Sequence, residues 1–216
     1  MKNFGFGFMR LPFQGDQVDI ELVKRMVDTF MENGFTYFDT AYKYCRGLSE
    51  PALKAALVDR YPRESYVLTT KLSNEFMRSK EEQEQVFEDQ LNRLGCRYFD
   101  YYLLHNQGAV NYKVSLELDS FEFVKRKKAE GKICHIGISF HDKAELLDEI
   151  LTAHPEIEVV QLQINYLDWD NESIQSRKCY EVARKHQKPV IVMEPIKGGT
   201  LVNLPEKAER LFRSYN

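Results

Sequence analysis

Short apolar runs, each followed by a longer amphipathic stretch, recur along this chain, and that alternation limits its fold more than any other feature. The runs cover residues 4–10, 35–40, 66–72, 99–105, 134–140, 159–165 and 189–194. They are rich in Val, Ile, Tyr and Phe, and mostly continuous rather than alternating, as expected of strands covered on both faces. The stretches between them carry helix signals. Ser79 with Glu82 reads as a capping box, and Asp142 with Glu145 repeats the pattern. Gly34, Gly95 and Gly131 fall where helices should stop. Strand, helix, strand, helix demands parallel strands with helical crossovers.

Spacing then chooses between closed and open parallel sheets. Asp39 and Lys71 are 32 positions apart, Lys71 and His105 34, and His105 and Ser139 again 34. A regular unit of this size favours a (β/α)8 TIM barrel. A doubly wound sheet is the alternative, but no strand leads into a Gly-x-Gly-x-x-Gly turn. Only seven strands are counted in 216 residues, whereas a complete barrel takes about 250. The expectation is a single domain over 1–216, an incomplete barrel lacking its C-terminal strand and helices. Open edges on its first and seventh strands would favour self-association.

Composition excludes several classes. A net charge of -3 argues against nucleic acid as a partner, and the basic run at Lys125, Arg126, Lys127 and Lys128 reads as a solvated helix face. No apolar stretch approaches the roughly 18 residues a membrane span needs. Four scattered cysteines without a Cys-x-x-Cys pair suit a reduced, cytoplasmic setting. The N-terminus lacks the pattern of a secretion signal.

Asp39, Lys71 and His105 each end a strand-like run, and Tyr44 follows Asp39 by five positions. In a parallel barrel such ends converge on one mouth. Asp39 can supply the countercharge that a half-buried Lys71 requires. Lys71 facing Tyr44 would pull the phenol pKa below its usual value of about 10. Tyr44 could then protonate a carbonyl oxygen that His105 orients. Taken singly, these residues read as a structural ion pair, a loop aromatic and a hydrogen-bonded histidine. Their placement at successive strand ends favours an active site. One His and one Asp beside Lys71 make a poor metal site, which weighs against a barrel hydrolase.

These residues carry a resemblance to the aldo/keto reductase family. FDTAYKY, TTK and DYYLLHN are similar to its motifs around the catalytic Asp, Tyr, Lys and His, and GFGFMRLP, IGIS and VVQLQ follow in register. The likeness runs from about residue 4 to residue 201. It implies reduction of a small-molecule carbonyl by NADPH, with NADP the family default and NAD the alternative. Asp39, Tyr44, Lys71 and His105 would be catalytic. Ser139 and Gln161 would bind the nicotinamide carboxamide, and Gly7, Phe8 and Met9 would lie beside the cofactor. Lys197, Gly198 and Gly199 would hold the pyrophosphate, and Asp39, Glu194, Pro195 and Ile196 would also bind the cofactor.

Phe140 stands where the family usually has Asn, and Met193-Glu194-Pro195 where many members place an aromatic. Both resemble a bacterial-type branch whose members often carry a C-terminal iron–sulfur segment. Such a cluster would belong here only if a longer chain carries it. The competing reading is a non-catalytic nucleotide-sensing or interaction subunit on the same fold. Tyr42, Phe76, Met77, Tyr166 and Trp169 either line an apolar substrate pocket or pack the mouth loops.

Overall fold

The computed structural model describes residues 3–213. The outermost residues of the N-terminal segment and of the 204–216 tail lie outside them. In chain order the elements are β1 (Gly5–Gly7), a hairpin of β2 (Phe13–Gln14) and β3 (Gln17–Val18), α1 (Ile20–Glu32), β4 (Tyr37–Asp39) and α2 (Ser49–Leu53). Next come β5 (Val67–Leu72), α3 (Lys80–Leu94), β6 (Phe99–Gln107), α4 (Ala109–Glu117), α5 (Ser120–Ala129) and β7 (Ile133–Phe140). The chain continues through α6 (Ala144–Ala153), β8 (Val159–Gln163), α7 (Ser176–Lys185), β9 (Val190–Met193) and α8 (Glu206–Arg213).

Seven of the strands form one sheet in the order β1-β4-β5-β6-β7-β8-β9, and every pair is parallel. All seven coincide with expected runs, though β1 is cut to three residues. The hairpin of β2 and β3 was not expected, because two-residue strands leave no periodic signal. The sheet is curled as a barrel is: Gln161, on its sixth strand, donates to Asp39, on its second, at 3.0 Å.

Strand side chains alternate between two faces. Outward ones meet the helices, where Val23 and Val27 of α1, Phe87 and Leu94 of α3, and Leu147 and Ile150 of α6 are fully buried. Inward ones line the lumen. Gly137 of β7 belongs to the inward set because its neighbours fill the space: a Cβ there would lie 2.5 Å from Leu103 and from Val159, and 2.8 Å from the Val159 carbonyl. Backbone cannot yield as a flexible side chain can. Gly137→Ala should therefore destabilise the fold by about 1–3 kcal/mol, measured by urea unfolding. Stability equal to the parent would contradict this packing.

Two helix starts differ from the expected form. The Ser79 hydroxyl accepts from the Glu82 N–H, but Glu82 reaches back to the Arg78 N–H rather than to Ser79. Asp142 does not cap its own helix, since α6 begins at Ala144. It accepts instead from the Ala109 N–H at 2.8 Å, at the start of neighbouring α4. The basic run on α5 is also not uniformly solvated. Lys127 is buried between α5 and α3, where it pairs with Glu84 and Glu130, and its ammonium lies 5.2 Å from the Phe87 ring centroid. Among the described residues, no helix is long and apolar enough to cross a membrane.

Candidate active site

Asp39 closes β4, and Thr69, its partner across the ladder, stands two residues before Lys71. Period two therefore puts Asp39 and Lys71 on the inward face at adjacent positions. The Lys71 ammonium is fully buried and donates to Asp39 Oδ1 at 2.5 Å and to the Thr40 carbonyl at 2.8 Å. Asp39 Oδ2 accepts from Gln161, so both carboxylate oxygens are engaged. His105 follows Leu103 by two and sits where β6 shifts register between Leu104 and Gln107. Its parity with Leu103 puts it on the inward face, where it borders the cleft.

Tyr44 stands on the loop after β4. Its ring centroid is 4.8 Å from the Lys71 ammonium and 5.6 Å from the His105 ring, edge to face. The four expected residues are thus one cluster. It opens on a cleft of about 1060 Å³, also bordered by Gly7, Met9, Gln161 and Met193.

Burial works against the charge of Lys71, but Asp39 and Tyr44 carry its pKa above the ordinary value. Tyr44 departs from expectation. Burial raises its pKa, Asp39 adds to the rise, and the opposing pull of Lys71 is too weak to reverse it. The phenol is thus held protonated rather than acidified. His105 is pushed down to about 3, first by burial and then by Lys71 and His141, so its ring is neutral. Its Nδ1 lies 2.8 Å from the Ser73 hydroxyl. With Ser73 donating there, Nε2 carries the proton.

The expected cofactor positions divide. Gly7, Met9, Gln161, Glu194 and Pro195 border the cleft. Phe8 is core, with its side chain fully buried and its N–H on the Asp39 carbonyl. Ser139 is buried too, and its hydroxyl accepts from the Asn106 N–H at 2.7 Å. Ile196 is exposed. Gly198 and Gly199 take left-handed backbone at φ 63° and 97°. The Lys197 ammonium is 2.5 Å from buried Asp168, which also accepts from Asn165 and Gln163. Its charge is thereby engaged inside the loop.

Other residues at the mouth had no role assigned to them from the sequence. Glu75, Asn106 and His141 border the cleft, and Arg10 spans it to Glu194 at 2.8 Å. Of the expected pocket aromatics, Tyr42 lies under Arg93, Phe76 under Lys43, Tyr166 against Phe212 and Trp169 against Tyr180. Met77 packs on the core. They secure loops rather than border the cleft.

The site fits a nicotinamide group at the level of its donors and space. A Cβ on Gly7 would meet nothing within 4 Å, so backbone can be approached closely there. Gln161 spends its amide N–H on Asp39, and its amide oxygen has no hydrogen-bond partner among the described residues.

A parallel barrel-type sheet with a phenol, a buried ammonium and a neutral imidazole gathered at its mouth defines the class, a (β/α) protein whose strand ends converge on a cleft. A sequence model of the aldo/keto reductase family matches residues 3–214, and the chain belongs to that family. The uncharacterized oxidoreductase YqkF of Bacillus subtilis (strain 168) is 26% identical over 189 residues, which are 83% of this chain and 58% of that protein. The chain therefore spans little more than half the length of that relative. A thermostable aldo-keto reductase solved with the inhibitor epalrestat superposes with a TM-score of 0.78 at 25% identity, covering all of this chain and 75% of the other. An aldo-keto reductase of Klebsiella pneumoniae, solved with NADPH, shares the fold at a TM-score of 0.67 and 20% identity, over 88% of this chain and 62% of its own.

Proposed function

We propose that this chain carries the catalytic site of an enzyme that reduces aldehydes or ketones to alcohols with NADPH, Tyr44 acting as the general acid. The observation that carries this reading is the convergence of the Tyr44 phenol and the neutral His105 ring on one cleft, with the Lys71–Asp39 pair buried behind the phenol.

When bound, the nicotinamide supplies hydride to the carbonyl carbon. Tyr44 passes its proton to the carbonyl oxygen as negative charge builds there. The Lys71 ammonium, locked in its charged form by Asp39, stabilises the phenolate that remains. His105 donates Nε2–H to the same oxygen and orients it. Gly7 and Gln161 would border the nicotinamide, Gln161 offering its amide oxygen to the carboxamide. NADP is supported by the family default and by the NADPH held in the Klebsiella relative.

The test is oxidation of NADPH in the presence of a short-chain aldehyde, followed across pH. The reaction needs Tyr44 protonated, and its pKa lies above the ordinary 10.0. The rate should therefore hold from neutrality to a pH of about 9 and fall only beyond about 10. His105 imposes no limb near neutrality, because its pKa is about 3. A rate that halves between about pH 7 and 8 would place the acid elsewhere.

A further inference from the structure

We propose that Arg93, on the outer helix α3, is a positioning residue for Tyr44, gripping the turn that carries the phenol and tying it to the strand that carries Lys71. The proposal rests on Tyr44 being the acid. Its first ground is the backbone. Tyr44 is followed by three consecutive left-handed residues, Cys45 at φ 52°, Arg46 at φ 58° and Gly47 at φ 85°. Left-handed backbone disfavours residues with a Cβ, which crowds the following carbonyl. A turn with two such residues persists only where its surroundings over-determine it.

Arg93 supplies much of that determination. Its guanidinium donates to the Gly47 carbonyl, just after the strained pair. The same group lies 4.6 Å from the centroid of the Tyr42 ring, just before it. One planar side chain thus holds the chain on both sides of Tyr44.

The grip reaches the other half of the site through Glu50. Arg93 Nε is 3.3 Å from Glu50 Oε2, on a carboxylate with no exposure. Glu50 Oε1 accepts from Thr70 at 2.8 Å and from Gln90 at 2.7 Å. Gln90 also donates to the Lys71 carbonyl at 3.1 Å, while the buried Tyr102 hydroxyl donates to its amide oxygen at 2.6 Å. Burial raises the Glu50 pKa, against the opposing pull of the Gln90 and Thr70 hydrogen bonds and, after them, of the Arg93 charge. The turn bearing the acid and the strand bearing its ammonium therefore share one network, anchored from outside the barrel.

The experiment compares the parent with Arg93→Met and Arg93→Lys. Lysine keeps a cation for Glu50 but loses the planar fork that bridges Tyr42 and Gly47, so it tests the grip even where methionine unfolds the chain. Each protein is labelled with 3-fluorotyrosine, and the Tyr44 fluorine signal is the one missing from Tyr44→Phe. In folded variants the Tyr44 signal should shift or broaden. Turnover should fall about 10- to 100-fold, as a small misplacement of a catalytic group causes, with the KM for aldehyde and the affinity for NADPH little changed. A Tyr44 signal coincident with the parent's in both variants, or parental turnover in both, would overturn the proposal. If the parent turns over no carbonyl, the reductase reading fails, and the fluorine signal alone decides the grip.

Discussion

Tyr44→Phe should remove about 10²- to 10⁴-fold of the turnover, the range that a well-placed general acid contributes. The substitution deletes one hydroxyl and keeps a ring of the same shape against Lys71 and His105. Binding of NADPH, read by nicotinamide fluorescence, should therefore stay near the parental affinity. That split separates an acid from a residue that merely shapes the pocket, because a packing role would move affinity and turnover together. A variant as active as the parent would end the mechanism. Reduction would then have to draw its proton from solvent or from His105, and a neutral imidazole with a pKa of about 3 is poorly suited to that task.

Lys71→Met should be as damaging to turnover and, unlike the first change, damaging to the fold. It leaves the Asp39 carboxylate with only the Gln161 amide as a side-chain partner and strips the Thr40 carbonyl of a donor. Removing one member of a buried ion pair costs about 3–5 kcal/mol, because the other charge stays desolvated. For a domain of this size that lowers Tm by roughly 6–20 °C. Adding Asp39→Asn removes the stranded charge and should restore most of the stability while leaving the enzyme inactive, a coupling that a double-mutant cycle measures. Equal Tm in the single and double variants would show that the pair contributes little to folding.

The strands and the four side chains at the mouth were legible in advance because each leaves a local trace. Continuous β-rich runs, punctuated by caps and glycines and repeated every 32 to 34 residues, announce parallel strands and crossover helices. Residues that end such strands meet at one rim whatever the details of packing. Asp39, Tyr44, Lys71 and His105 could thus be grouped before any distance was known.

What the sequence could not state is how contacts between distant positions resolve. The sign of the Tyr44 pKa shift is a balance of desolvation, Asp39 and Lys71, and only the packed structure shows that burial outweighs the nearby cation. Lys197 seemed available to a phosphate until Asp168, 29 positions earlier, proved to hold it. Asp142 reads locally as a cap for the helix after it, yet it serves α4, 33 positions earlier. Ser73 and Arg93 lie in no motif and gain meaning from His105 and Gly47, 32 and 46 positions away. Periodicity and strand ends belong to neighbouring residues and survive in one dimension. Desolvation, ion-pair choice and the bracing of a strained turn depend on which groups exclude water together, and tertiary structure alone decides that.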